Sequence, residues 1–215
     1  QGKAGQGPSE IRKWLFENDY IEAIIQLPDR LFFNTGITTY IWILNNKKSK
    51  SKSGYVQLID ASSLFSNTKV KLGEKNKEIN SDHIQNIFSL VDNFNESEIS
   101  KIYTNEYFGH TEVTVNSPLV NDSGVEYDSK GNKKVDKSKK DNEKVPLAID
   151  IEEYFKNEVL PFKPDSWIDS SKNKIGYDIS FSKEFYSYVE LRDLSTIKKD
   201  LEALEVEIKK LNEKL

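Results

Sequence analysis

The sequence predicts an α/β fold, and three observations carry the prediction: a helix-patterned segment, two short β-branched runs behind it, and a breaker at each junction. All lie inside Glu10 to Asn46 (EIRKWLFENDYIEAIIQLPDRLFFNTGITTYIWILNN). Gly7-Pro8-Ser9 opens the helix, because proline suits a first turn and serine a cap. Ile11, Trp14, Leu15 and Phe16 give it a one-sided apolar stripe, and Asn18-Asp19 ends it. Ile21 to Leu27 is short, apolar and β-branched, as expected of a strand covered on both faces. Pro28-Asp29 stops it with a residue that cannot donate to a ladder. Thr38 to Leu44 repeats the strand signature after the loop Leu31 to Gly36.

The remaining elements follow in order. Residues 1–62 read as the closing part of a sheet domain: a basic hairpin-like link, Asn45 to Ser53, leads to Gly54 to Asp60, whose alternation suits a third strand near an edge. Residues 63–120 read as peripheral and mostly helical. Ile79 to Val91 sets Ile79, His83, Ile84, Ile87, Phe88 and Val91 on one face, and Asn95 to Tyr103 offers a short helix with Glu96 and Glu98 in its first turn. Residues 121–144 hold Asp, Ser, Asn, Gly and Lys with almost no apolar content and read as an exposed, mobile insertion. Residues 145–215 read as a C-terminal arm with an aromatic cluster (Tyr177, Phe181, Phe185, Tyr186, Tyr188), ending in a helix over 194–215. In that helix Leu194, Ile197, Leu201, Leu204, Ile208, Leu211 and Leu215 alternate spacings of three and four, a heptad seam. Such a seam packs on its own domain, on a partner helix, or on a second copy of itself.

Composition bounds the function. The 215 residues suffice for one core with an appendage, and 36% hydrophobic against 31% charged residues leaves much of the chain outside it. With no cysteine there is no disulfide framework or thiolate metal site, and the two histidines, His83 and His110, lack metal-ligand spacing. No apolar run approaches a membrane span and no signal sequence is visible, so the expectation is a soluble, cytoplasmic chain. A net charge of −4 argues against a free-standing nucleic-acid binder, so any DNA contact must come from a local patch. The basic run Lys47, Lys48, Lys50 and Lys52 is the candidate for phosphate contact, against the plainer reading of a solvated hairpin.

The order of motifs in Glu10 to Asn46 resembles the modification (M, HsdM-type) subunit of type I restriction-modification systems: a helix like IRKWL, a strand ending in LP, then LF..TGI.T and a hydrophobic strand. Further segments agree in order: Lys101 to His110, Val145 to Leu147, DIEEYFKNEVLP at Asp150 to Pro161, PDSWID at Pro164 to Asp169, and KIGYDISF at Lys174 to Phe181. The resemblance implies the C-terminal portion of a Rossmann-like AdoMet-dependent methyltransferase sheet domain followed by a mostly helical C-terminal arm. It implies methyl transfer from S-adenosyl-L-methionine to the N6 of DNA adenine. DNA, the specificity subunit and the restriction subunit are its implied partners, with no membrane, and the terminal helix meets the specificity subunit or self-associates.

Two parts of the family pattern are missing. The family's catalytic tetrapeptide, Asn/Asp-Pro-Pro-Phe/Tyr, is not in the sequence, so no catalytic residue is assigned to this chain. The glycine cluster Gly2 to Gly7 has no strand before it and reads as the loop entering the first helix, so no cofactor is expected on this chain alone. With Gln1 first and no methionine, the expectation is an inactive C-terminal piece of the parent enzyme. What remains is the loop Phe32, Phe33, Asn34, Thr35 and Gly36, which a carboxyl-end position turns toward the ligand crevice of an open α/β domain. The resemblance implies that it helps hold the extruded adenine, Phe33 first and Phe32 second, with one of the two adjacent rings pointing in and the other out. Asn34, Thr35 and Gly36 read as turn residues, Gly36 supplying positive φ. The alternative is a non-catalytic interaction module that recruits a partner through the terminal helix.

Overall fold

The computed structural model describes residues 3–122, 124–188 and 193–212. The chain divides into two compact units, Gln1–Phe185 and Tyr186–Leu215. In chain order the first unit holds α1 (Gly7–Glu17), β1 (Ile21–Gln26), β2 (Tyr40–Leu44), β3 (Tyr55–Asp60), β4 (Ser66–Leu72), β5 (Lys75–Glu78), α2 (Ser81–Asn93) and β6 (Ser100–Thr104). It continues with β7 (Gly109–Asn116), β8 (Val120–Asn121), β9 (Gly124–Val125), β10 (Asp141–Pro146), α3 (Ile151–Tyr154), β11 (Trp167–Ile168), β12 (Lys174–Tyr177) and α4 (Phe181–Glu184). The second unit carries α5 (Leu194–Asn212).

A four-stranded sheet in the order β2-β1-β3-β6 is the first layer; β1 and β3 run parallel, and the outer pairs are antiparallel. β1 is apolar on both faces because both are covered. Ile21 and Ile24 meet Leu15 and Phe16 of α1 in one core, while Ile25 and Leu27 join Ile59 and Ala61 in another, capped by Ile87, Leu90 and Val91 of α2. The inward face of α1 differs from the expected stripe: Leu15, Phe16 and Ser9 are buried, whereas Ile11 and Trp14 are exposed. The inward face also takes in Arg12, whose Nε donates to the Tyr177 carbonyl at 2.7 Å. In α2 the stripe is likewise rotated, leaving Ile84 and Phe88 in solvent.

Three expectations change with the pairing. β3 is an interior strand with Val56 to Ile59 buried; its buried Gln57 donates from Nε2 to the Leu90 carbonyl at 2.9 Å and to Ser100 Oγ at 2.8 Å. The helix expected over Asn95 to Tyr103 is β6 instead, because β3 needs a backbone partner and Ser100 to Thr104 supplies one. β2 carries the apolar pattern of an interior strand yet lies at the sheet edge, with Tyr40, Ile41, Trp42 and Leu44 exposed.

The second sheet is centred on β7, with β10 on one side and β11 and β12 on the other, over a core of Val113, Val115, Val145 and Val159. Residues 63–120 are thus more strand than helix. The polar insertion folds into short hairpins, β8 against β9, and a turn in which Asp128 Oδ1 accepts from the N–H groups of Lys130 and Asn132. Tyr177, Phe181 and Phe185 pack on the first core, while Tyr186 and Tyr188 are exposed. In α5 the seam residues Leu194, Ile197, Leu201, Leu204, Ile208 and Leu211 form one exposed stripe, and Asp193 accepts from the Ser195 N–H at its start. Leu215 lies outside the described residues. No helix among the described residues is long and apolar enough to cross a membrane.

Candidate functional site

The parallel pairing of β1 with β3 decides where the aromatic loop sits. Gln26 stands in register with Asp60, and the Ala61 N–H donates to the Gln26 carbonyl at 2.9 Å, so both strands end at the same sheet edge. From β1 the chain runs into the loop Pro28 to Ile37; from β3 it runs into the β4–β5 ribbon. The two therefore meet. The Glu74 N–H donates to the Phe33 carbonyl at 2.9 Å and the Asn76 N–H to the Arg30 carbonyl at 3.1 Å, a short backbone ladder between loop and ribbon. Lys77 pairs with Asp29 and lies over the Phe65 ring at 4.0 Å, closing the base of the contact. Burial plays a smaller part than this pairing at Asp29, whose carboxyl is held below its ordinary value chiefly by the Lys77 hydrogen bond.

Two backbone positions make the approach possible. Gly73 has φ +61°, and a Cβ there would lie 2.7 Å from the Phe33 carbonyl oxygen, so a side chain would drive the ribbon off the loop. Arg30 takes φ 53° at the loop entrance, while Gly36 does not occupy the positive-φ region expected for it. Phe32 and Thr35 bridge across the loop tip, and the Ile37 N–H donates to Thr35 Oγ1 at 3.3 Å. Asn34 and Gly36 are exposed at the same tip.

Phe32 and Phe33 are both exposed, at 48% and 57%. The expected division of one ring in and one out is replaced by Leu31, which packs on the second core and frees both phenylalanines. Two adjacent aromatic rings in solvent on a loop held by backbone hydrogen bonds offer flat apolar faces at little further ordering cost.

The basic run divides. Lys48 Nζ pairs with Asp19 at 2.5 Å and donates to the Tyr55 carbonyl at 2.8 Å, and its side chain is 2% exposed. Lys52 pairs with Glu22 at 2.8 Å and reaches the Val91 carbonyl. Both are structural ties; only Lys47 and Lys50 remain exposed. Asp19 is the hub: burial pushes its carboxyl up, but Lys48, Asn105 and the Gly54 N–H outweigh burial and leave it below its ordinary value. Glu22 follows the same pattern through Lys52 and Asn45.

A further polar cluster escaped sequence reasoning because its members lie far apart in the chain. Tyr103 and Tyr107 donate to the buried Glu184 carboxylate at 2.6 and 3.0 Å, beside a cavity of about 200 Å³ also lined by His110, Lys144 and Asp178. Burial first, then the Glu184 hydrogen bond, pushes the Tyr103 hydroxyl well above its ordinary value. Burial lowers His110, with Asp178 opposing. The carboxylates here already have partners: Glu184 ties α4 to Tyr103 of β6, and Asp178 ties the end of β12 to Arg12 of α1 and Lys144 of β10.

The glycine turn at the start of the chain is a packed element. Gly5 has φ +76° beside Lys174, and Ala4 is buried where Gly176 leaves room for it; a Cβ on Gly176 would lie 3.0 Å from that of Ala4. No cluster of potential metal ligands occurs among the described residues.

Taken together, the chain is a mixed α/β protein that presents an aromatic loop at the carboxyl edge of a parallel strand pair. The sequence model of the N-6 DNA Methylase family matches residues 3–122, and the chain belongs to that family. It is 25% identical over 168 residues to the methylase subunit of the type I restriction enzyme MjaIX of Methanocaldococcus jannaschii, covering 73% of this chain and 28% of that one. It is 36% identical over 88 residues to the MpnII methylase subunit of Mycoplasma pneumoniae, covering 41% and 14%. The chain thus spans about a quarter or less of these relatives. A crystal structure of the type I restriction-modification methyltransferase subunit from Streptococcus thermophilus is 28% identical, with a TM-score of 0.40, over 46% of this chain and 19% of that one.

Proposed function

We propose that this chain is the target-base side of an AdoMet-dependent DNA adenine-N6 methyltransferase subunit of a type I restriction-modification system. The observation that carries the reading is the exposed Phe32-Phe33 pair on its braced loop, in a chain of the N-6 DNA methylase family. A base that leaves the duplex stack needs a flat apolar surface to replace its neighbours, and an aromatic ring supplies one. Phe33 is the first stacking partner and Phe32 the second; Asn34, Thr35 and Gly36 shape the turn that presents them. Methyl donation from S-adenosyl-L-methionine and the catalytic tetrapeptide belong to a segment other than these residues, and the chain alone transfers no methyl group.

Base–aromatic stacking contributes roughly 1 to 3 kcal/mol per base, or about 5- to 150-fold in affinity. Phe33→Ala therefore weakens binding of a single-stranded oligonucleotide carrying 2-aminopurine by that range and abolishes the quenching that stacking produces. In the complete subunit the same substitution lowers methyl transfer and leaves AdoMet affinity intact. Undiminished quenching and transfer would reject the base-wall role.

The exposed seam of α5 favours an added role in assembly. An apolar stripe of this length in water is worth burying against another helix, and the specificity subunit is the proposed partner, with the restriction subunit joining the complex. If the chain captures a specificity subunit but Phe33→Ala changes nothing at the base, the interaction module is the better description.

A further inference from the structure

We propose that the β4–β5 ribbon is a DNA-backbone contact that works beside the aromatic loop, with Lys69, Lys71, Lys75 and Arg30 as its phosphate-binding cations. The inference rests on the base-wall reading of that loop and adds the surface along which the duplex is held. Four observations carry it. Lys69 and Lys71 alternate along β4 and so share one face, roughly 7 Å apart; both are exposed. Among the described residues no carboxylate lies within ion-pairing distance of Lys69, Lys71 or Lys75, and Arg30 only neighbours Asp29, which Lys77 already holds, whereas Lys48, Lys52 and Lys77 are all engaged. Towards the ribbon tip the opposite face of β4 is uncovered too, with Val70 and Leu72 in solvent, so both faces of that part of the strand are open. Finally, it is not free to drift, since the Glu74 and Asn76 amides lock it to the carbonyls of Phe33 and Arg30.

The chemistry fits a polyanion. Unpaired ammonium groups on a fixed ribbon release the counterions condensed on a phosphodiester chain, and they do so without reading sequence. The one acid at the ribbon tip, Glu74, is turned toward the loop, its Oε2 3.6 Å from where a Gly36 side chain would begin. With a net charge of −4 the chain as a whole repels DNA, so binding must be local, and this ribbon offers free cations next to an exposed stacking surface.

The test uses the 215-residue chain and a fluorescent, unmodified DNA duplex, with affinity measured across a salt series. Lys69→Gln, Lys71→Gln and Lys75→Gln together should reduce the slope of log affinity against log salt by about 2 to 3, roughly 0.9 for each phosphate that is no longer neutralised. Lys137→Gln with Lys140→Gln, two exposed lysines of the polar insertion, should leave the slope as it was. An unchanged slope in the ribbon variant, or no duplex binding by the parent chain at low salt, overturns the proposal. The base-wall reading is scored separately by 2-aminopurine quenching: loss of quenching in Phe33→Ala with an unchanged ribbon slope sinks the ribbon alone, and the converse sinks the base wall alone.

Discussion

Replacing Asp19 tests whether Lys48 is a structural tie or a charge available to ligands. Asp19 closes the turn between α1 and β1 at φ 55° and accepts from Lys48 Nζ, the Gly54 N–H at 2.9 Å and Asn105 Nδ2 at 2.8 Å. Asp19→Ala removes the charged hydrogen bond to a lysine shielded from water, worth about 2 kcal/mol, and leaves three further donors, the Ser53 hydroxyl among them, short of an acceptor, worth about 1 kcal/mol together. It also puts alanine in a left-handed conformation, costing about 1 kcal/mol more. Because the Asp19 side chain keeps 29% of its surface in water, solvent recovers part of this, and the net loss should be about 3 kcal/mol. An asparagine at this position tolerates the left-handed turn and still accepts a hydrogen bond, so Asp19→Asn should lose about 1 to 2 kcal/mol. Trp14, Trp42 and Trp167 all lie in the first unit, so their fluorescence in urea reports on it. At a slope of roughly 2 kcal/mol per molar, Asp19→Ala shifts the midpoint down by about 1.5 M. The sign of the pH dependence follows from linkage. A carboxyl held below its ordinary value of 3.8 stabilises the fold above that pH and loses the contribution as pH falls through the lowered value. The gap between the parent and Asp19→Asn should therefore narrow in acid. Equal midpoints at neutral pH, or a gap that persists unchanged in strong acid, would refute the tie.

Two further outcomes follow from the geometry. Gly73→Ala places a methyl against the Phe33 carbonyl in a positive-φ position, so the loop brace should open at a cost of about 1 to 2 kcal/mol; hydrogen exchange at the Glu74 amide should rise about tenfold, and unchanged exchange would mean the brace is made elsewhere. Tyr103 and Tyr107 keep their protons in the folded state above the ordinary value of 10.0, burial first and Glu184 second, so stability should fall as pH climbs past that value; tyrosinate absorbance and urea melts side by side check it, and stability constant or rising there contradicts the cluster.

The parts of the fold legible in the sequence are those set by local pattern. β1 is read correctly because its two apolar faces are both covered, and α1 because Pro8 and Asn18 punctuate it. β2 and β3 show where local pattern stops. Each strand's place in the sheet depends on which segment hydrogen-bonds to its free edge, and Ser100 to Thr104, forty residues beyond β3 in sequence order, carries no mark of that partnership that outweighs the helix signal of Glu96 and Glu98. The ribbon was legible in principle: Thr68, Val70 and Leu72 alternate with Lys69 and Lys71 up to Gly73, the period of a hairpin and not of a helix. Lys48 and Lys50 could not have been told apart, since only the fold brings Asp19 within reach of one of them.

The ribbon and the loop belong together for a reason that precedes any ligand. Antiparallel neighbours send their exits to opposite edges of a sheet, whereas the parallel pair β1 and β3 sends both to one. Whatever follows β1 and β3 is therefore placed side by side, and here the segments that follow are an aromatic turn and a lysine-bearing ribbon. The Gly73 contact converts this neighbourhood into a fixed geometry. A mobile loop would lose ordering entropy each time a base settled on Phe33; a loop already bonded at Arg30 and Phe33 spends little of it. The same brace also fixes the distance between the stacking rings and the free ammonium groups. If one surface is to hold a DNA backbone and an extruded base at once, this shared rigidity, more than the identity of either group, is what the parallel pair supplies.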